Sequence, residues 1–340
     1  MGGSAIFNIA DLFESLADAI PERTAVVSGA RRLTFAELDT RANRLADVLR
    51  ARGVGPGHHV GLHLYNGSEF VESMLAAFKL RAVPINLNYR YVAAELRYLC
   101  ENADLVAVIT QRELLPVIAE AARGLPAAST VLAVDDGSGV TVPGLEARDY
   151  EEAIASGRPE RSFGPRSGDD LYIVYTGGTT GMPKGVMWRH EDVFFAGLQG
   201  GRPGGDPVTH PAEVVEHARD PDNMMMIMPA APFIHGAAQW GAWISLFTGG
   251  KVVIQPGRSF DAARVCELIG EEKVTTITLV GDAMARPIAD ALAAPGASYD
   301  MSSLIAIASA GAVLSPAVRD QLQELRSRMS NVEEGHGPAP

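Results

Sequence analysis

The sequence predicts an α/β fold in which helices cover a largely parallel β-sheet. Two observations carry that expectation. Short apolar runs alternate with helical patterns along most of the chain. The runs are also continuously apolar, as in residues 105–109 and 275–280, which fits strands buried on both faces. At 340 residues there is ample chain for a sizeable core, in one large domain or two. The balance of 47% hydrophobic and 21% charged residues is ordinary for a globular protein.

Taken in order, Ala25-Val26-Val27 and Leu33 flank a turn at Ser28-Gly29-Ala30 and predict a small hairpin. Thr34-Phe35-Ala36-Glu37 has the form of a capping box, in which hydroxyl and carboxylate each satisfy an exposed N–H of a helix start. The helix it opens carries Leu38, Ala42, Leu45 and Leu49 on one face and is expected to stop at Gly53. A strand over 59–64, a helix through Phe70, Met74 and Phe78, and a short strand over 83–85 follow. Helical residues 93–100 precede the strand over 105–109, and helical residues 114–122 precede one over 130–134.

Residues 135–170 are rich in Gly, Pro, Ser and charge and read as a surface excursion. Residues 200–222 read the same way, as a segment free to move. Strands are expected again over 225–228, 251–254, 275–280 and 304–309, with helices between. One of these helices, over 258–269, turns Val265 and Leu268 inward. Residues 224–250 contain no Asp, Glu, Lys or Arg. Pro229, Pro232, His235, Gln239 and several glycines interrupt the stretch, so a buried strand and pocket wall fit better than a membrane span.

A net charge of −12 argues against a nucleic-acid partner, which would call for a basic face. An anionic ligand must then meet local charge, and Lys184, Arg189 and His190 stand close together. The two cysteines, Cys100 and Cys266, lie in helical apolar segments and form neither a disulfide framework nor a metal site. They point to a reducing, cytoplasmic setting. The start, Met1-Gly2-Gly3-Ser4, lacks the basic region of a signal peptide. His58, His59 and His63 cluster near one strand, but no nearby pattern completes a metal site.

The most informative stretch is residues 171–186, Leu-Tyr-Ile-Val-Tyr-Thr-Gly-Gly-Thr-Thr-Gly-Met-Pro-Lys-Gly-Val. A β-prone run leads into a loop of Gly177, Gly178 and Gly181 with Thr176, Thr179 and Thr180, closed by Pro183-Lys184-Gly185. Glycines let successive N–H groups turn inward as a nest for anionic oxygens; threonine hydroxyls add donors and Lys184 adds a full charge. Such a loop suits a polyphosphate. A flexible linker would explain the Gly and Thr but not the strand before or the Pro-Lys-Gly after. The P-loop of nucleoside triphosphatases fails on spacing, because Met182-Pro183 separates Gly181 from Lys184 and Gly185 stands where Ser or Thr is required.

The stretch instead resembles the signature loop of the adenylate-forming superfamily, commonly Thr-Ser-Gly-Thr-Thr-Gly-x-Pro-Lys-Gly, with Gly177 in the Ser position. That group comprises acyl-CoA synthetases, luciferases and the adenylation domains of peptide synthetases. The resemblance extends to Phe233-Ile234-His235-Gly236, similar to the aromatic-x-His-Gly element that lines and gates the acyl pocket of acyl-CoA synthetases. Amino-acid-activating relatives place an Asp near this point. None occurs between Asp222 and Asp261, which favours an acid without an α-amino group. Residues 307–314, Ile-Ala-Ser-Ala-Gly-Ala-Val-Leu, resemble the Gly/Ala-rich segment between adenine and acyl group, and small residues there let a flat ring approach the backbone. Val280-Gly281-Asp282 ends a neighbouring strand as a plausible pocket wall. Residues 187–192 look nearest to medium- and long-chain and steroid-side-chain acyl-CoA ligases.

The resemblance implies two helix-flanked, largely parallel sheets, in subdomains of about 1–165 and 166–332 of an incomplete AMP-binding domain. It implies ATP, Mg2+ and CoA as cofactors and a small carboxylic acid as substrate. By carry-over, Thr176, Gly177, Gly178, Thr179, Thr180, Gly181 and Lys184 hold phosphates, with Thr176 also on Mg2+. Ser309, Ala310, Gly311 and Ala312 face adenine. His235, Gly236, Val280, Gly281 and Val313 line the acyl pocket, and Lys184 and His235 are the catalytic pair. After the helix over 315–329 the family continues with Tyr-Gly-x-Thr-Glu, a ribose-binding aspartate, a hinge and a C-terminal domain with a catalytic lysine. Residues 331–340 offer Asn-Val-Glu-Glu-Gly-His-Gly-Pro-Ala-Pro instead, so Glu333 and Glu334 receive no role. The expectation is a disordered tail over 333–340, an absent C-terminal domain, and a surface prone to self-association. The alternatives are a non-catalytic nucleotide-binding fragment and an adenylation domain that loads a carrier protein, which His235 and the missing Asp disfavour.

Overall fold

Asn8 opens the first helix: its Oδ1 accepts from the Ala10 and Asp11 amides of α1 (Ile9–Ala19). The computed structural model describes residues 5–177 and 181–330. The predicted hairpin pairs β1 (Thr24–Ser28) with β2 (Arg31–Thr34), and Gly29 in its turn takes a φ of +58°. The capping box is present. The Glu37 amide donates to Thr34 Oγ1 at 3.1 Å and the Thr34 amide to Glu37 Oε2 at 2.8 Å, opening α2 (Phe35–Ala51), with Gly53 left-handed just beyond. Leu38, Ala42, Leu45 and Leu49 are fully buried on its inner face.

Next come β3 (His59–His63), α3 (Ser68–Lys79), β4 (Val83–Asn86), α4 (Ala93–Asn102), β5 (Leu105–Gln111), α5 (Leu115–Ala121) and β6 (Val131–Val134). The segment expected to be a surface excursion also contributes. It contains β7 (Ala147–Asp149) and α6 (Tyr150–Ser156), capped by Asp149, with Tyr150, Ala153 and Ile154 buried. Gly157 then passes α2 so closely that a Cβ there would lie 2.1 Å from the Arg44 carbonyl. These five strands form an all-parallel sheet in the order β4-β3-β5-β6-β7.

The strand leading into the glycine loop joins neither large sheet. β8 (Leu171–Thr176) pairs antiparallel with β9 (Lys184–Arg189), a ribbon the sequence reading did not anticipate. α7 (His190–Ala196) follows, and the stretch 200–222, expected to be loose, holds α8 (Pro211–Arg219) with Val214 and Ala218 buried. The uncharged stretch holds β10 (Ile227–Pro229) and also a buried helix, α9 (Gly236–Phe247). After β11 (Val252–Ile254), the helix expected from 258 starts later, as α10 (Ala262–Glu272), because Asp261 caps it by accepting from the Arg264 amide. The chain then runs through β12 (Thr276–Leu279), α11 (Gly281–Ala293), β13 (Ala306–Ser309) and α12 (Pro316–Ser330).

The second sheet has six strands, β13-β12-β10-β11-β1-β2, parallel except for the β1–β2 hairpin. It is assembled from both sides of residue 165. The expectation of two helix-flanked, largely parallel sheets therefore holds, with an antiparallel ribbon added. The largest core cluster joins α1, α2, α3 and α9 with strands of both sheets through Phe13, Phe35, Phe70, Phe78 and Trp243. No described helix is long and apolar enough to cross a membrane. The 333–340 tail lies outside the described residues.

A buried ion network ties this core to the stretch before β8. Lys79 Nζ lies 2.6 Å from Glu14 Oε1 and 2.7 Å from Asp39 Oδ1. Arg161 reaches Asp39 and Asp18, and Arg166 reaches Glu14 and Asp11. Three helices and residues 161–166 are thereby joined through charge.

Candidate active site

The base of the glycine loop is a strand pair: Thr176 sits opposite Lys184 in the β8–β9 register. The β8 end is held from the parallel sheet. Asn86, at the end of β4, accepts from the Tyr175 amide at 2.7 Å and donates to the Tyr175 carbonyl at 2.8 Å. From α4, Tyr98 donates to the Pro183 carbonyl, and the Tyr175 hydroxyl donates to Asn102. The loop is thus carried on a braced ribbon. Lys184 is exposed and has no ion pair to a described residue. Gly178, Thr179 and Thr180 lie outside the described residues.

The second wall is the segment between β10 and α9. Asn66 accepts from the Phe233 amide at 2.8 Å and donates to the Ala231 carbonyl. Gln239, receiving a bond from the Tyr172 hydroxyl, donates to the Phe233 carbonyl at 2.7 Å. His235 stands at the start of α9 with no side-chain capping bond. Burial among the pocket walls, and then the Arg90 charge, lower its pKa below the ordinary histidine value, so the ring is neutral at pH 7.

The third wall is the turn after β13. Ser309 Oγ accepts from the Gly281 amide at 3.0 Å, the Asp282 amide donates to the Val313 carbonyl, and Asp282 Oδ1 accepts from the Ser315 amide. Gly281 has a φ of +52°, and a Cβ on it would lie 2.5 Å from the Val313 carbonyl. Gly281→Ala is therefore expected to cost about 1–2 kcal/mol from the left-handed backbone alone and to push Ala310 and Gly311 off the wall. Thermal unfolding and ligand titration would both register it; an unchanged melting temperature would contradict the tight packing described.

The three walls enclose a cavity of about 480 Å3. It brings together Thr176, Gly177, His235, Gly236, Val280, Ala310 and Gly311 from the predicted set. Gly181, Lys184, Ser309, Ala312, Gly281 and Val313 do not line it. Ser309 and Gly281 instead shape its wall, and Val313 is 80% exposed. Asn86, Asn88, Tyr91, Leu99 and Ile234 line it as well and were not anticipated. For Asn86 and Asn88 the signal was the Pro84-Ile85-Asn86-Leu87-Asn88 run, polar residues at the carboxyl end of a strand, where α/β sheets place ligands. Among the described residues, none that lines it is Asp or Glu. A second cavity of about 290 Å3 adjoins the first across His235 and Val280 and is lined also by Asn66, Tyr89 and Arg90.

Two expected charges are not available. Arg189 is committed to Asp169 and Asp192. His190 is 1% exposed, and burial lowers its pKa to about 3, so it is neutral. Among the described residues no three His, Cys, Asp or Glu side chains gather to hold a metal ion. His63 is buried against Thr110 Oγ1 and His59 faces the Ala103 carbonyl.

The crevice thus lies at strand ends, between the strand pair that carries the glycine loop, a histidine-bearing segment and a Gly/Ala turn. Residues 13–339 match the family model of the AMP-binding enzymes, and the chain belongs to that family. It is 45% identical over 324 residues to the 3-oxocholest-4-en-26-oate–CoA ligase of Rhodococcus rhodochrous, covering 94% of this chain and 58% of that protein. It is 43% identical over 321 residues to the medium/long-chain-fatty-acid–CoA/3-oxocholest-4-en-26-oate–CoA ligase of Mycobacterium tuberculosis, with the same coverage. Its fold matches the anthranilate CoA ligase AuaEII in complex with anthranoyl-AMP, with a TM-score of 0.79 at 22% identity, over 94% of this chain and 58% of that one. The chain spans 58% of the length of these relatives.

Proposed function

We propose that this chain carries the phosphate loop and part of the acid pocket of an ATP-dependent acid–thiol ligase. One observation carries the reading: Thr176 and Gly177 share a single cavity with His235, Gly236, Ala310 and Gly311. In the proposed reaction a carboxylate oxygen attacks the α-phosphorus of ATP. The bond to pyrophosphate breaks, giving acyl-adenylate, and a CoA thiol then displaces AMP to give the thioester. Loop amides, threonine hydroxyls and Lys184 hold the β- and γ-phosphates and offset the charge that gathers on the leaving pyrophosphate. Neutral His235 lines the passage for the acid without pairing with its carboxylate. The Gly/Ala turn accommodates the adenine.

Among the described residues, the first cavity's lining has no carboxylate to pair with a substrate ammonium. This supports an acid lacking an α-amino group, and the relatives' names point to fatty or steroid-side-chain acids. Thr176 is the proposed protein contact for Mg2+. One hydroxyl, without a carboxylate cluster among the described residues, does not build a resident metal site, so no step is derived through the ion.

Lys184→Ala tests the loop assignment. A charge-assisted contact is worth about 1.5–3 kcal/mol, so ATP affinity measured by calorimetry is expected to fall at least tenfold. The melting temperature should hold, because the side chain is exposed. An unchanged affinity would remove Lys184 from the site.

A further inference from the structure

We propose that Asn86 is a positioning residue that mechanically couples the phosphate loop to the acid-pocket segment; this rests on the function proposed above. Asn86 is 6% exposed at the end of β4. All of its side-chain hydrogen-bonding groups are engaged. Oδ1 accepts from the Tyr175 amide at 2.7 Å, and Nδ2 donates to the Tyr175 carbonyl at 2.8 Å and to the Ile234 carbonyl at 2.6 Å. Tyr175 immediately precedes Thr176, and Ile234 immediately precedes His235. One planar amide therefore joins the backbone at the root of the loop to the backbone at the root of the histidine.

Only an amide fits this place. The two bonds to Tyr175 imitate a strand pairing, and the third needs a second N–H on the same nitrogen. A carboxylate of the same shape would aim one bare oxygen at both the Tyr175 and the Ile234 carbonyl. Asn66 secures the same segment from the other side, at Phe233 and Ala231, without a bond to the loop. A shift of Tyr175 as phosphates settle is thus passed through Asn86 to Ile234 and His235. Filling the phosphate site pre-sets the acid pocket.

The test is the linkage between the two ligands, measured by calorimetry as acid affinity with and without α,β-methylene-ATP. Wild type is expected to bind the acid about tenfold more tightly with the nucleotide present, a coupling of ordinary size. Asn86→Ala and the isosteric Asn86→Asp should reduce that factor to about two or less, whereas Asn66→Ala should keep most of it. Hydrogen exchange on the wild type is a second readout that needs no variant: the nucleotide alone should protect amides near His235. Wild-type binding of both ligands with equal linkage in Asn86→Asp, or no protection near His235, overturns the role of Asn86 and leaves the proposed function standing. Failure of the wild type to bind either ligand overturns both.

Discussion

Lys79→Ala is expected to destabilise the protein by about 3–5 kcal/mol, the usual cost of removing one member of a buried ion pair. Lys79 is 1% exposed and its Nζ lies between Glu14 of α1 and Asp39 of α2. Without it, two desolvated carboxylates from different helices face each other, with Arg161 and Arg166 the cations left to balance them among the described residues. Lys79→Met separates charge from volume. It fills nearly the same space, so a comparable loss in both variants assigns the cost to charge. Urea unfolding at pH 7 measures it, and a shift below about 1 kcal/mol in Lys79→Met would show that packing dominates instead.

Lowering the pH from 7 to 5 is expected to cost about 4 kcal/mol through two buried histidines. His63 and His190 have pKa values lowered to about 3, chiefly by burial. Among the described residues His63 Nε2 has no hydrogen-bond partner, and His190 Nδ1 accepts from the Ile9 amide. The unfolded chain takes up these protons as the pH falls through 6.5, while the folded protein does not until about 3. The stability is therefore complete above 6.5 and drains away between 6.5 and 3. At pH 5 each ring contributes about 2 kcal/mol of the loss, from about 1.36 kcal/mol for each pH unit below 6.5. Paired unfolding curves at pH 7 and 5 test this. The double variant His63→Gln/His190→Gln should flatten the dependence, and an unchanged slope would place the acid sensitivity elsewhere.

His190 also shows what the sequence withheld. Beside Lys184 and Arg189 it reads as part of a cationic cluster, yet its charge state depends on burial beneath Phe78 and α1, which no local pattern reveals. What was legible was local. The capping box at Thr34 and Glu37, the helix stop at Gly53 and the continuously apolar strands each follow from residues a few positions apart. The glycine loop was legible as a motif, and His235 and the Gly/Ala turn through resemblance. The β8–β9 ribbon was missed because apolar Leu171 to Tyr175 reads equally well as a buried parallel strand. α6 and α8 were missed because short polar-rich helices bury only two or three side chains each. Asn86 could be noticed at a strand end, but the bonds it makes had no local signal, since its partners lie 89 and 148 residues away.

The central claim, that this chain activates an acid at the cavity between the loop and His235, is tested most directly by acid-dependent ATP–pyrophosphate exchange on residues 1–340. Fatty and steroid-side-chain acids should each be tried, with Lys184→Ala alongside. The account predicts exchange with at least one of these acids and its loss in Lys184→Ala. No exchange with any acid, or exchange that Lys184→Ala leaves intact, would contradict it.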